Sequence, residues 1–218
     1  MITKEYISEL KQNDNAKLAD LVRKQQDIGT INFILESLGQ LPSTFDSSFL
    51  YDLLEHQHSQ VRLNAVKNIG KLNGKSDISK LSDLLKKETD TSVKREIISS
   101  IGRQRKPQNK PILFECLNDK DPKIVCQAIR GLLIFEKDKD VEEHLKPLIN
   151  HTNEIVRAII YKEYFAKNQQ KDDQFSHPET FDFLKNIVVN AVLMDIEKNI
   201  KHIKILRYAA LFLPHGIR

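Results

Sequence analysis

The sequence predicts an all-α protein, an array of about six stacked helical hairpins. Three observations carry this reading. A leucine-rich segment returns about every 32 residues, as LADLV from Leu18, LYDLL from Leu50, LSDLL from Leu81, LFECL from Leu113 and LKPLI from Leu145. A second series follows it in step: TINFILESLG from Thr30, VRLNAVKNIG from Val61, VKREIISSIG from Val93, IVCQAIRGLL from Ile124 and IVRAIIYKEY from Ile155. Within each series the apolar residues keep helical spacing, so each segment carries one buried stripe.

Length and composition agree. In 218 residues there are only seven Gly and seven Pro, with 29% charged and 40% hydrophobic residues, which suits a helix-rich chain with a continuous core. No apolar run approaches the roughly 20 residues needed to cross a bilayer. The opening MITKEYISEL carries acidic residues where a signal peptide has its apolar stretch, so a cytoplasmic protein is expected. Two thiols, Cys116 and Cys126, are too few for a disulfide framework and fit a reducing compartment.

The elements follow in order. The segment from Ile2 to Leu10 is expected to cap the array. In the first helices the stripe is Leu50, Leu53 and Leu54, then Leu81, Leu84 and Leu85, then Leu113, Cys116 and Leu117. In the second helices it is Val61, Ala65, Val66 and Ile69, then Val93, Ile97, Ile98 and Ile101, then Ile124, Ala128, Ile129 and Leu132, then Ile155, Ile159, Ile160 and Tyr164. Asp121-Pro122 reads as an N-cap followed by a first-turn proline. Ser176 to Glu179 has capping-box form. Gly39, Gly70 and Gly102 share one offset, where a helix could end or a neighbour could pack closely. Residues 1–166 thus hold five pairs with a capping helix. Residues 167–177 are polar and read as a linker loop. Residues 178–218 read as a divergent pair with helices at about 178–194 and 196–213, continuing one solenoid. The last helix carries an apolar run, Tyr208 to Leu213. Leu211, Phe212 and Leu213 are candidate docking residues, unless this face folds back on the array or the chain is an excerpt of a longer one.

The pattern resembles the HEAT family of α-solenoids over roughly residues 16 to 166. Asp121-Pro122-x-Ile124…Ala128…Leu132 and Val61-Arg62…Ala65…Ile69-Gly70 look like its D-x-x-V-R-x-x-A-x-x-x-L-G signature. The resemblance implies a right-handed α-α superhelix with the second helices lining the concave face.

Opposite the second-helix stripe lie offsets +2, +6 and +10. They hold Leu63, Lys67, Lys71; Arg95, Ser99, Arg103; Cys126, Arg130, Ile134; and Arg157, Tyr161, Phe165. Six of these twelve are basic and none is acidic, while the first helices show Asp20, Asp52, Asp83 and Glu115 at one recurring position. The expectation is a concave surface on which Lys67, Lys71, Arg95, Arg103, Arg130 and Arg157 hold an extended acidic partner, either an acidic protein segment or a nucleic-acid backbone. Tyr161 and Phe165 are candidates for stacking on bases. The competing reading is a Lys/Arg-rich solubilising face, with Phe165 closing the core and Arg62 and Lys94 packing with snorkelled heads.

Catalytic chemistry finds little support. His56 and His58 have no further ligands at metal spacing. Cys126 lies on the basic ridge, which would lower a thiol pKa if it were exposed. No phosphate loop or nucleophile elbow is present. HEAT-like alkylpurine DNA glycosylases share the architecture and use Trp residues and a catalytic Asp in a basic cleft. This chain has no Trp, and its basic track has no Asp. HEAT-like bilin lyases share the fold but no specific residue. The reading is a non-catalytic binding scaffold without cofactor or metal, with a protein or peptide partner and no membrane. The alternatives are a DNA- or RNA-binding accessory module of a nucleic-acid-modifying protein and, further off, a glycosylase relative. Oligomeric state is not legible.

Overall fold

A computed structural model describes residues 2–42, 44–72 and 76–162. These belong to the first of two compact units, Met1–Ala166. Of the second, Lys167–Arg218, no residue is among those described. The expectations for Phe165, the 167–177 loop, the 178–218 pair and Leu211, Phe212 and Leu213 therefore lie outside the described residues.

The described residues contain α-helices and short 3-10 turns and no strand. Helix α1 (Lys4–Asn13) precedes five pairs: α2 (Asn15–Arg23) with α3 (Ile28–Ser37), α4 (Ser48–Asp52) with α5 (Ser59–Ile69), and α6 (Ile78–Lys87) with α7 (Thr91–Arg103). Then come α8 (Lys110–Cys116) with α9 (Pro122–Leu132), and α10 (Lys139–Leu145) with α11 (Glu154–Ile160). Helix α1 packs against α2 and α3, burying Ile7 and Leu10.

Local chemistry sets the helix starts. Asp27 Oδ2 accepts from Thr30 N at 2.7 Å, Asp90 Oδ1 from Ser92 N at 2.8 Å, Asp121 Oδ1 from Lys123 N at 2.8 Å and Asn153 Oδ1 from Ile155 N at 2.9 Å. Each short polar side chain satisfies a donor that the first helical turn leaves open. Pro122 sits in the first turn of α9, where its missing N–H costs nothing.

Three residues after the N-caps His58, Asp90 and Asp121 the stripe begins with Val61, Val93 and Ile124, and all three are buried. The fifth pair corrects the sequence reading by one residue. There the N-cap is Asn153, so Val156 and Ile160 are the residues that become fully buried, while Ile155 is 44% exposed. Adjacent apolar residues made either register plausible by periodicity alone. The cap at Asn153 decides between them.

The second helices pack chiefly on one another, α3 on α5, α5 on α7 and α7 on α9. A buried polar series crosses this layer. Asn68 Nδ2 donates to the Leu35 carbonyl at 2.9 Å, and Ser100 Oγ donates to the Val66 carbonyl at 3.3 Å. At the equivalent point of α9 stands Gly131, and a Cβ on Gly102 would lie 2.9 Å from its Cα. Gly102 is thus a close-packing glycine. Gly39, with φ +58°, is a helix end that needs the left-handed conformation.

The first helices are joined across repeats by ion pairs. Arg23 meets Asp52 at 3.0 Å, Lys87 meets Glu55 at 2.7 Å, and Lys110 meets both Asp138 and Asp140, at 2.9 and 2.7 Å. Of the recurring acidic positions, Asp52 is paired with Arg23 of the preceding repeat, and such exposed pairs add little stability.

Candidate functional site

The C-terminal ends of α3, α5, α7 and α9 converge on one cleft of ≈ 460 Å³. Gln40, Lys71, Arg103, Arg105, Gln127 and Arg130 are among its lining residues, with Ile134 at its side; no acidic or aromatic residue lines it. The close approach of Gly102 to Gly131 brings these helix ends together. Helix C-termini present unsatisfied carbonyls and a partial negative charge, which favours cationic side chains there.

Each cation is held differently. Arg103 Nη2 donates to Glu96 Oε1 and to Ser100 Oγ, each at 2.7 Å, and its Nη1 donates to Ser99 Oγ at 2.8 Å. This guanidinium is oriented before any ligand arrives. Gly70 leaves room for it, because a Cβ there would collide with Arg103 Nη2 and Ser100 Oγ. Lys71 Nζ donates to Asn68 Oδ1 at 3.0 Å. Burial, followed by the like charges of Lys11, Lys67 and Arg103, holds the Lys71 ammonium below the ordinary lysine value. Lys11 reaches the same area by donating to the carbonyls of Leu38 and Gln40 at 2.7 and 3.0 Å. Arg130 Nη1 donates to Gln127 Oε1 at 3.2 Å. Arg95 and Lys67 are exposed on the same helix layer.

Of the residues singled out from the sequence, the cleft brings together Lys71, Arg103 and Arg130. Arg157 is a correction. Its Nη1 donates to the carbonyls of His151 and Thr152 at 2.6 and 2.9 Å, locking the turn before α11. Arg62 does the same before α5, donating to His56 and Gln57 at 2.8 and 3.0 Å. Both Arg residues follow the first buried valine of their helix, Val61 and Val156. With the register corrected, Tyr161 falls at the place of the core residues Val66, Ile98 and Ile129 and is half-buried rather than presented for stacking. Lys162, exposed, takes the place of Lys67 and Arg130.

Cys126 is also corrected. It is 3% exposed, and burial pushes its thiol up in spite of Arg130 and Arg95. Burial pushes Cys116 up to about 11. His56 and His58 stand with ring centroids 5.6 Å apart, and His56 Nδ1 accepts the His58 N–H within the turn. Among the described residues no three His, Cys, Asp or Glu side chains come together as a metal site.

The residue missed from sequence is Arg105. It lies outside the helical offsets, just past the end of α7, yet it lines the cleft. The run Arg103-Gln-Arg-Lys106 was the available signal.

Paired helices in register, with one face of each buried and cations gathered at one edge, define an α-solenoid of the binding-scaffold class. Residues 78–162, from α6 through α11, match the family model for HEAT repeats, and the described residues have the fold of a HEAT-like solenoid. A solved structure titled as the crystal structure of an engineered protein is similar at 15% identity and TM-score 0.47, covering 74% of this chain and 88% of that one. No curated protein matches. No helix among the described residues is long and apolar enough to cross a membrane.

Proposed function

We propose that this chain is a non-catalytic scaffold whose second-helix face holds an acidic protein segment. The observation that carries the reading is the lining of the cleft at the helix ends: Lys71, Arg103, Arg105 and Arg130, with no carboxylate among the lining residues. The remaining lining suits a polypeptide. Gln40 and Gln127 offer amide side chains that can both donate and accept, which a peptide backbone needs, and Ile134, 45% exposed, offers an apolar contact beside them. A single-stranded nucleic acid binds best where aromatic side chains stack on its bases, and no aromatic residue lines this cleft. Glu96, paired with Arg103, and Glu36, hydrogen-bonded to Asn64, also interrupt the continuous cationic track that a long phosphodiester backbone would follow.

Binding of labelled poly-glutamate and of single- and double-stranded DNA oligonucleotides, at low and moderate salt, tests this. The native chain should bind poly-glutamate with salt-sensitive affinity, and a Lys71→Glu/Arg130→Glu variant should lose at least tenfold. DNA bound more tightly than poly-glutamate would transfer the site to nucleic acid. Unchanged affinity in the variant would remove the groove from the interaction.

A further inference from the structure

Arg105 occupies a backbone position where its side chain is a liability. Its φ of +52° places it in the left-handed region just beyond the C-cap of α7. The corresponding position past α3 holds Gly39, at φ +58°. Glycine adopts this conformation freely and arginine does not. No side-chain contact offsets the strain, because the exposed Arg105 guanidinium makes no hydrogen bond or ion pair among the described residues. It stands over the cleft beside two guanidinium groups that are already oriented, Arg103 by Glu96, Ser99 and Ser100, and Arg130 by Gln127. Strain retained beside a pre-organised polar site is a pointer to ligand contact.

Charge balance narrows the ligand. Lys71, Arg103, Arg105 and Arg130 bring four positive charges to the cleft, and Glu96 is the carboxylate paired into the group. One carboxylate from a ligand would leave most of that charge uncompensated. A phosphomonoester brings close to two negative charges at neutral pH and three acceptor oxygens, which match guanidinium forks.

We infer that Arg103, Arg105 and Arg130 form a subsite for a phosphorylated serine or threonine side chain of the bound segment. This rests on the acidic-segment reading and specifies it: Arg130 supplies a guanidinium fork, Arg103 a fixed positive charge with its remaining N–H groups, and Arg105 closes over the phosphate from the loop. The same phosphate chemistry is offered by free inorganic phosphate, and the test separates the two sources.

The probes are a labelled peptide of alternating glutamate and leucine with one central phosphoserine, its serine twin, inorganic phosphate and poly-glutamate. They are applied to the full chain and to Arg105→Gly. That variant removes the guanidinium while favouring the native backbone, so it should fold at least as well as the parent. For the parent the phosphoserine peptide should bind at least tenfold tighter than its twin, and inorganic phosphate should compete with it and shift the Arg103, Arg105 and Arg130 side-chain NMR signals at constant ionic strength. Arg105→Gly should bring the preference below about threefold, with a smaller loss for poly-glutamate, which Lys71, Arg103 and Arg130 still face. Equal affinity for the twins with poly-glutamate still bound would overturn the phosphate subsite and leave the acidic-segment reading standing. Phosphate-induced shifts without any preference between the twins would assign the site to the free ion and overturn the peptide-borne form. Absence of both phosphate shifts and poly-glutamate binding would overturn the subsite and the function together. An undiminished preference in Arg105→Gly would remove Arg105 from it.

Discussion

Arg157 grips the turn before α11 as Arg62 grips the turn before α5, each guanidinium donating to two successive backbone carbonyls ahead of its own helix. The two differ in what lies beyond. Arg62 also forms a two-pronged pair with Glu88 of the next repeat, at 2.7 and 2.8 Å. Replacing Arg62 by Ala should cost about 3–5 kcal/mol, because Glu88, with only 1% of its side chain exposed, would keep a buried charge without its partner. Arg157→Ala should cost about 1–3 kcal/mol and leave poly-glutamate affinity unchanged. Urea denaturation and the binding assay read the two effects separately. An affinity loss in Arg157→Ala at unchanged stability would return this residue to the binding face.

The pair between Arg62 and Glu88 also gives a pH dependence with a definite sign. Burial raises the Glu88 carboxyl, but the Arg62 guanidinium and the Asp90 and Thr89 N–H groups outweigh it, leaving the group below the ordinary carboxylate value. Its contribution is therefore fully present above the unfolded carboxylate pKa, about 4.3, and is lost as pH falls through the lower folded value. Thermal midpoints measured from pH 6 down to pH 3 should fall less steeply for Glu88→Gln than for the parent. Parallel acid limbs would rule out this pair as a contributor.

Three substitutions near the helix ends should separate close packing from backbone conformation. Gly102→Ala should destabilise by about 1–3 kcal/mol, since its Cβ meets the Gly131 backbone, which cannot move aside as a side chain can. Gly39→Ala should cost about 1 kcal/mol for a different reason: its Cβ meets nothing within 4 Å, but φ is positive. Arg105→Gly should stabilise by about 1 kcal/mol on the same backbone argument. Denaturant midpoints in which Gly102→Ala is neutral would contradict the close approach of α7 and α9.

Both thiols should resist alkylation in the native chain at pH 8. Cys116 and Cys126 are 8% and 3% exposed, and burial raises both pKa values. Mass spectrometry after brief iodoacetamide treatment should show no adduct without denaturant and two in concentrated urea. Rapid native labelling of Cys126 would place it on the surface that the sequence pattern first indicated.

Much of the architecture was legible because it depends on local rules. The stripe from Val61 to Ile69, the Asp121 cap and Pro122 each specify helix or boundary through neighbours within a few residues. The fifth pair was misread where Ile155 and Val156 satisfy the same periodicity, although Val156-Arg157 repeats the Val61-Arg62 signature. That one-residue shift moved Arg157 into the basic track and Tyr161 onto an exposed face. Cys126 was misread because α9 is covered on more than one side by its neighbours, and an offset on an isolated helix does not show this.

By itself the sequence determined an all-helical HEAT-like array, since period, apolar spacing and caps act within single helices and adjacent repeats. Tertiary structure decided which cations share a surface. Gly102 against Gly131 draws two helix ends together, Arg157 is taken up by its own turn, and Arg105 joins the cleft from outside any helical pattern. Those outcomes depend on packing distances and a single positive φ, and helical periodicity encodes neither.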